Sequence, residues 1–170
     1  MKPESEQLVV QLEANLEDLI RVYRHLLGVV RREKEILILA QLNELNENNK
    51  AKELTLLKAK ELEESRMKIV KDLAIQENLT GVTKLLDFAR EFGGEVGERL
   101  RRLHSVLDLL LKRVREHNQM NEKLVKSALE NITGAIGSIR DTLKDKPTYK
   151  KGGAVTQRPA ESGQLVSKEV

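Results

Sequence analysis

The sequence predicts an all-α protein, an elongated antiparallel bundle of about four long helices packed in coiled-coil style and followed by a disordered C-terminal tail. Three observations carry this. Aliphatic residues recur every three or four positions over most of the chain, 34% of the residues are charged against 39% hydrophobic, and no run alternates with the period of a strand. After Leu143 the periodicity stops and Pro147, Gly152, Gly153, Pro159 and Gly163 appear among Lys, Ser and Gln. The expected division is therefore a bundle over 1–143 and a flexible basic tail over 144–170.

The first helix is expected from about Ser5 to Leu42. Leu8, Leu12, Leu16, Leu19, Tyr23, Leu26, Val30, Leu37 and Ala40 step by three or four, with one interruption at Glu33. Such steps average about 3.5 residues and make a seam against partner helices. A bend is expected within "NELNENNK", 43–50, because asparagine competes locally for backbone hydrogen bonds and favours caps and turns.

The second helix carries Leu54, Leu57, Leu62, Met67, Ile69, Val70 and Leu73, and "NLTGVT" should end it near Asn78. "KLLDFAREF" fits a short apolar helix before the glycines of "GGEVG". A third long helix restarts near Glu95 with Val96, Leu100, Leu103, Val106, Leu107, Leu110, Leu111 and Val114 as its buried face, and a break is expected near "EHNQMN". The fourth helix, "NEKLVKSALENITGAIGSIRDTL", places Leu124, Ala128, Ile132, Ile136, Ile139 and Leu143 on one side. Gly134 and Gly137 interrupt it, each costing about 1 kcal/mol relative to alanine. Either they admit a neighbouring helix at close range, or the helix is pliable and firms on a partner.

Charge and composition exclude several function classes. The tail from Lys144 holds six basic and three acidic residues, so it carries the whole net charge of +3, and the rest of the chain balances 24 against 24. A nucleic-acid binder needs a basic stripe on its folded part and aromatic side chains for stacking, and this chain has two Tyr, two Phe and no Trp. No apolar run approaches the ~18 residues of a membrane span, and the start lacks the regions of a signal peptide. No membrane insertion and a cytoplasmic location are the expectation, compatible with the absence of cysteine.

No motif carries catalysis. His25, His104 and His117 form no HExxH and have no second ligand at helical spacing, so no metal is expected. "FGGEVGE" matches neither phosphate-binding glycine pattern, and no Ser/His/Asp constellation is legible. The chain is expected to need no cofactor and to act by interaction, with helix-in-groove recognition or coupled folding and binding as its physical mode.

The order of motifs resembles the flagellar export chaperone family FlgN over most of the chain. "HLLGVVRREKEILI" and "ELTLLKAKELEESRMKIVKDLA" are similar to that family's first two helices. More specific is "NQMNEKLVKSALENI", in which Asn118, Asn121, Leu124, Ser127 and Leu129 match N-x-x-N-x-x-L-x-x-S-x-L. Tyr149 with a glycine soon after it is similar to the family's tail element.

The resemblance implies a non-enzymatic export chaperone. Its clients would be the C-terminal segments of the hook-filament junction proteins FlgK and FlgL, kept from premature assembly and delivered to the export gate component FlhA. It implies client binding on the C-terminal helix and tail, and gate docking through Tyr149. The expected client face, or the seam that the client replaces, is Asn118, Asn121, Leu124, Ala128, Leu129, Ile132, Ile136, Ile139 and Leu143, the alternative being that this apolar face is the helix's core stripe and the client binds elsewhere. A tyrosine suits docking because it offers a large apolar body, one hydroxyl and few torsions to freeze. The alternative is a coiled-coil scaffold or homodimer, which the long seams also fit and which predicts self-association.

Overall fold

The computed structural model describes residues 3–79 and 84–144. Four helices account for nearly all of them, and no strand occurs among the described residues: α1 (Pro3–Ile38), α2 (Leu42–Gln76), α3 (Leu85–Phe92) and α4 (Gly94–Lys144). The chain divides into two compact units, Met1–Leu129 and Glu130–Val170.

In the first unit, side-chain hydrogen bonds fix the directions of the helices. Ser5 Oγ donates to Gln76 Oε1, Asn15 Nδ2 to the Leu62 carbonyl, and Lys52 Nζ to Glu33 Oε2. Ascending numbers on α1 meet descending ones on α2, so the two are antiparallel. Between α1 and α4 both numbers ascend: Glu13 accepts from Arg99 Nε at 2.9 Å, and the Val30 carbonyl accepts from Asn121 Nδ2, also at 2.9 Å. These two helices are parallel, with partners offset by 86 to 91 residues.

The α1 seam is the spine of the core. Leu12, Leu16, Leu19 and Val30 are fully buried, and they pack with Val70 and Leu73 of α2, Leu85, Phe88 and Ala89 of α3, and Leu100, Leu107, Leu110 and Val114 of α4. Each such leucine contributes roughly 1.5–3 kcal/mol by leaving water. The Phe88 and Phe92 rings stack with centroids 6.1 Å apart.

Along α2 the buried positions change character. Towards its C-terminal end Val70 and Leu73 enter the core, whereas earlier only the small Thr55 and Ala59 are buried and Leu54, Leu57 and Met67 stay exposed. The apolar periodicity read from the sequence thus does not mark one buried stripe on this helix.

Two boundaries differ from expectation. The bend expected at 43–50 lies instead at Leu39–Gln41, and the asparagine-rich segment is helical within α2. The turn is a Schellman motif: Gln41 N–H bonds the Ile36 carbonyl, Ala40 N–H bonds that of Leu37, and Ala40 takes φ 53°. At the end of α2 the same motif recurs with Asn78 at φ 55° and Leu79 N–H on the Ala74 carbonyl. An asparagine announces such a turn in sequence and an alanine does not.

The second difference is that no break occurs near "EHNQMN": α4 runs unbroken for 51 residues, so the expected third and fourth helices are one. The polar residues there stay helical because Asn121 spends its Nδ2 donor across the helix interface rather than on its own backbone, while its buried Oδ1 has no partner. The turn before α4 uses Gly93 and Gly94 at φ 56° and 49°. A Cβ on Gly97 would lie 2.3 Å from the Ala89 carbonyl oxygen, so glycine lets α3 approach the start of α4.

Candidate protein-binding face on α4

The face of α4 that enters the core is a heptad stripe: Leu100, Leu107, Leu110, Val114 and Asn121 are buried on it. At about 100° per residue, Val125, Ala128, Leu129, Ile132, Ile136, Ile139 and Leu143 continue the same stripe. The burial does not continue. In the first unit Val125, Ala128 and Leu129 are exposed, and in the second Ile132, Ile136, Ile139 and Leu143 are 58%, 60%, 61% and 59% exposed.

Within the first unit the reason lies in helix length. The offset of 86 to 91 residues puts Ile38, the last residue of α1, level with 124–129 of α4, so α1 ends where Val125, Ala128 and Leu129 would need it as cover. The apolar spacing of the sequence persists to Leu143. Large β-branched residues at seam spacing, without the burial that such spacing ordinarily brings, are the chemistry of a surface awaiting a helix.

Gly134 and Gly137 meet nothing within 4 Å of an added Cβ. By the same angular count they lie on the side of α4 opposite the isoleucines. No close helix approach among the described residues explains them, which leaves their effect on helix stiffness.

At the base of the stripe the residues are polar and held. Asn121 is 3% exposed, and its Nδ2 donates to the Val30 carbonyl and, at 3.0 Å, to Glu33 Oε2. The same Glu33 oxygen takes Lys52 Nζ at 2.7 Å, so α1, α2 and α4 meet in one polar node. Glu33, the interruption of the α1 seam in the sequence, is the centre of that node. Asn118 and Leu124 are half-buried beside it in the chain. Asn121 would have to give up both bonds to contact another protein. Tyr149 lies outside the described residues.

Nothing in the described residues gathers into a chemical centre. No group of three or more His, Asp or Glu is placed to hold a metal. A cavity of about 330 Å³ in the first unit is lined by Leu16, Leu85, Leu107 and Leu111 together with Glu63, Arg66, His104 and Asp108. Its Arg66 and Glu63 pair with each other at 2.8 Å. No described helix is long and apolar enough to cross a membrane.

Comparison with known proteins fits these features. No curated protein and no solved structure matches the chain. A family model described as "FlgN protein" matches residues 1–157, which takes in all four helices and the exposed stripe of α4. On that match the chain belongs to the FlgN family, a family of flagellar export chaperones.

Proposed function

We propose that this chaperone works in the cytoplasm, binds the C-terminal segments of FlgK and FlgL on the exposed stripe of α4, and delivers them to FlhA. The observation that carries the reading is the change along one helix face, buried to Asn121 and exposed from Val125 to Leu143 at unchanged apolar spacing. Leu129, Ile132, Ile136, Ile139 and Leu143 would take the client's apolar face, with Ala128 giving it room. Asn118 and Asn121, with Leu124, form the base from which the stripe starts. A client segment that folds as an amphipathic helix would bury these residues and prevent its own premature assembly by hiding the same apolar surface. Tyr149 is assigned to FlhA docking by family likeness.

Isothermal titration with the C-terminal region of FlgK tests this. Wild type should bind at micromolar affinity or tighter with a negative heat-capacity change, the Ile132→Asp/Ile136→Asp variant should not bind, and truncation after Leu143 should leave affinity unchanged. No binding by folded wild type would overturn the client assignment.

A second reading, a homodimer joined through the same stripe, is favoured by its strict three-four spacing. Light scattering separates the two. A stable dimer that FlgK leaves intact would favour the scaffold.

A further inference from the structure

Where α1 and α4 run parallel within the first unit, their outer edges carry arginines that the fold leaves unanswered. Arg31 Nε donates to His117 Nε2 at 3.5 Å, which sets the two edges beside each other. Arg24 stands seven residues before Arg31 on α1, and Arg113 four before His117 on α4, so at about 100° per residue each shares the edge of that pair. All three guanidiniums are exposed, and none is in an ion pair among the described residues. Arg21, Arg32 and Arg99, by contrast, are each held by a carboxylate. The acids nearest in sequence do not answer the three: Glu35, one turn beyond Arg31, is taken by Arg32 at 2.9 Å, and Glu17 and Glu116 are in no ion pair.

Apolar side chains share the α4 edge. Val106, expected on the buried face, is 37% exposed, and Leu109 and Met120 are 50% and 47% exposed. All three lie within about 40° of Arg113 around the helix. On the α1 edge Gly28, between Arg24 and Arg31, is exposed, and a Cβ there would meet nothing within 4 Å, so the ridge is low at that point. Arg24 and Arg31 are about 10 Å apart along the axis, two turns of a helix.

We propose that this groove docks a second protein partner: an amphipathic helix that lays aliphatic residues on Val106, Leu109 and Met120 and sets carboxylates, two turns apart, against Arg24, Arg31 and Arg113. A guanidinium with no internal partner takes a carboxylate through two parallel N–H donors, and apolar neighbours strengthen the pair by excluding water. A row of phosphates, whether of a nucleic acid or of a lipid surface, suits the groove less well. It would set negative charge against Glu17 and Glu116 too, whereas separate carboxylates can meet the arginines alone. The groove lies on a different side of α4 from the exposed stripe, so the proposal does not depend on where the export client binds.

The test is fluorescence anisotropy of the full chain with three labelled synthetic helices. They share leucines at three-four spacing and differ only at two positions seven residues apart, which carry Glu, Gln or Lys. Wild type should bind the Glu helix about tenfold or more tighter than the Gln helix, and the Lys helix not at all. Arg31→Glu/Arg113→Glu should lose the Glu helix by a similar factor and gain the Lys helix. Both side chains are exposed, so this variant should melt like wild type by circular dichroism. Lys68→Glu/Lys71→Glu makes the same change of net charge at exposed positions of α2 and should bind as wild type does. Equal binding of the Glu and Gln helices, or binding of neither, overturns the proposal. Equal loss in the α2 variant overturns it too, by making net charge responsible rather than the groove. Binding of phosphatidylglycerol vesicles or of a DNA duplex, lost in Arg31→Glu/Arg113→Glu while the Glu helix does not bind, overturns it and assigns the arginines to phosphates.

Discussion

Asn121 of α4 donates from Nδ2 to the Val30 carbonyl of α1 at 2.9 Å, and the same nitrogen reaches Glu33 Oε2 at 3.0 Å. This joins the last buried position of the α4 stripe to the last stretch of α1, at the point where apolar packing gives way to exposure. Asn121→Ala should destabilise the fold by roughly 1–3 kcal/mol, because Glu33 loses a donor in a largely buried setting. Asn121→Asp should cost more at neutral pH, since it sets a second carboxylate beside Glu33. Urea unfolding followed by circular dichroism checks both.

Ala40→Gly should stabilise the protein. Ala40 sits at φ 53° in the Schellman turn ending α1, where an L side chain is strained and glycine is not. After the larger backbone entropy of glycine in the unfolded chain is allowed for, the gain should be roughly 0.5–1 kcal/mol. Asn78→Gly, at φ 55° in the matching turn after α2, should gain less, because asparagine tolerates that conformation. Thermal melts of the two variants should differ accordingly.

These two turns also show which parts of the fold were legible in the sequence. The all-helical class, the α1 seam, the end of α2 at Asn78 and the short α3 follow from periodicity and turn chemistry, which act locally. The turn at Ala40 does not, because alanine carries no turn signal and the asparagines nearby carry a false one. The apparent break at 116–121 misled for a related reason: Asn121 reads as a helix competitor, yet its partner is Val30, 91 residues away. Periodicity located the α4 stripe but could not say where burial stops along it, since that depends on where α1 ends.

The glycines of α4 should respond in opposite directions. Gly97→Ala puts a Cβ 2.3 Å from the Ala89 carbonyl oxygen, a backbone atom that yields only if α3 shifts, so a loss of about 1–3 kcal/mol is expected. Gly134→Ala and Gly137→Ala meet open space, and each should favour the helix by about 1 kcal/mol. Circular dichroism should show lower thermal stability for the first variant and greater helical content for the other two.

Tyr23 should titrate late. Burial, followed by the nearby Glu63 carboxylate, holds its phenol above the ordinary tyrosine value. The folded state thus favours the neutral phenol. Its contribution to stability is present below the unfolded value of about 10 and is lost as pH rises from there through the folded value. In a Tyr149→Phe background Tyr23 is the sole tyrosine, and phenolate absorbance should show a midpoint above 10 that falls to about 10 on unfolding in urea.

The exposed and buried halves of the α4 stripe should separate stability from binding. Leu107→Asp places a carboxylate in the core beside Leu16 and Leu85 and should abolish cooperative folding, as an unpaired buried charge costs more than most domains can spare. Ile132→Asp and Ile136→Asp add the same charge on the same helix face, but where the side chain already meets water, so unfolding free energy should change by no more than about 0.5 kcal/mol each. Equal damage from all three would mean that 132 and 136 are covered in the free protein, by a second copy or by the chain itself, and sedimentation of the wild type would tell which. Undisturbed melting of the isoleucine variants is the result that makes their loss of FlgK binding interpretable as a lost surface rather than a lost fold.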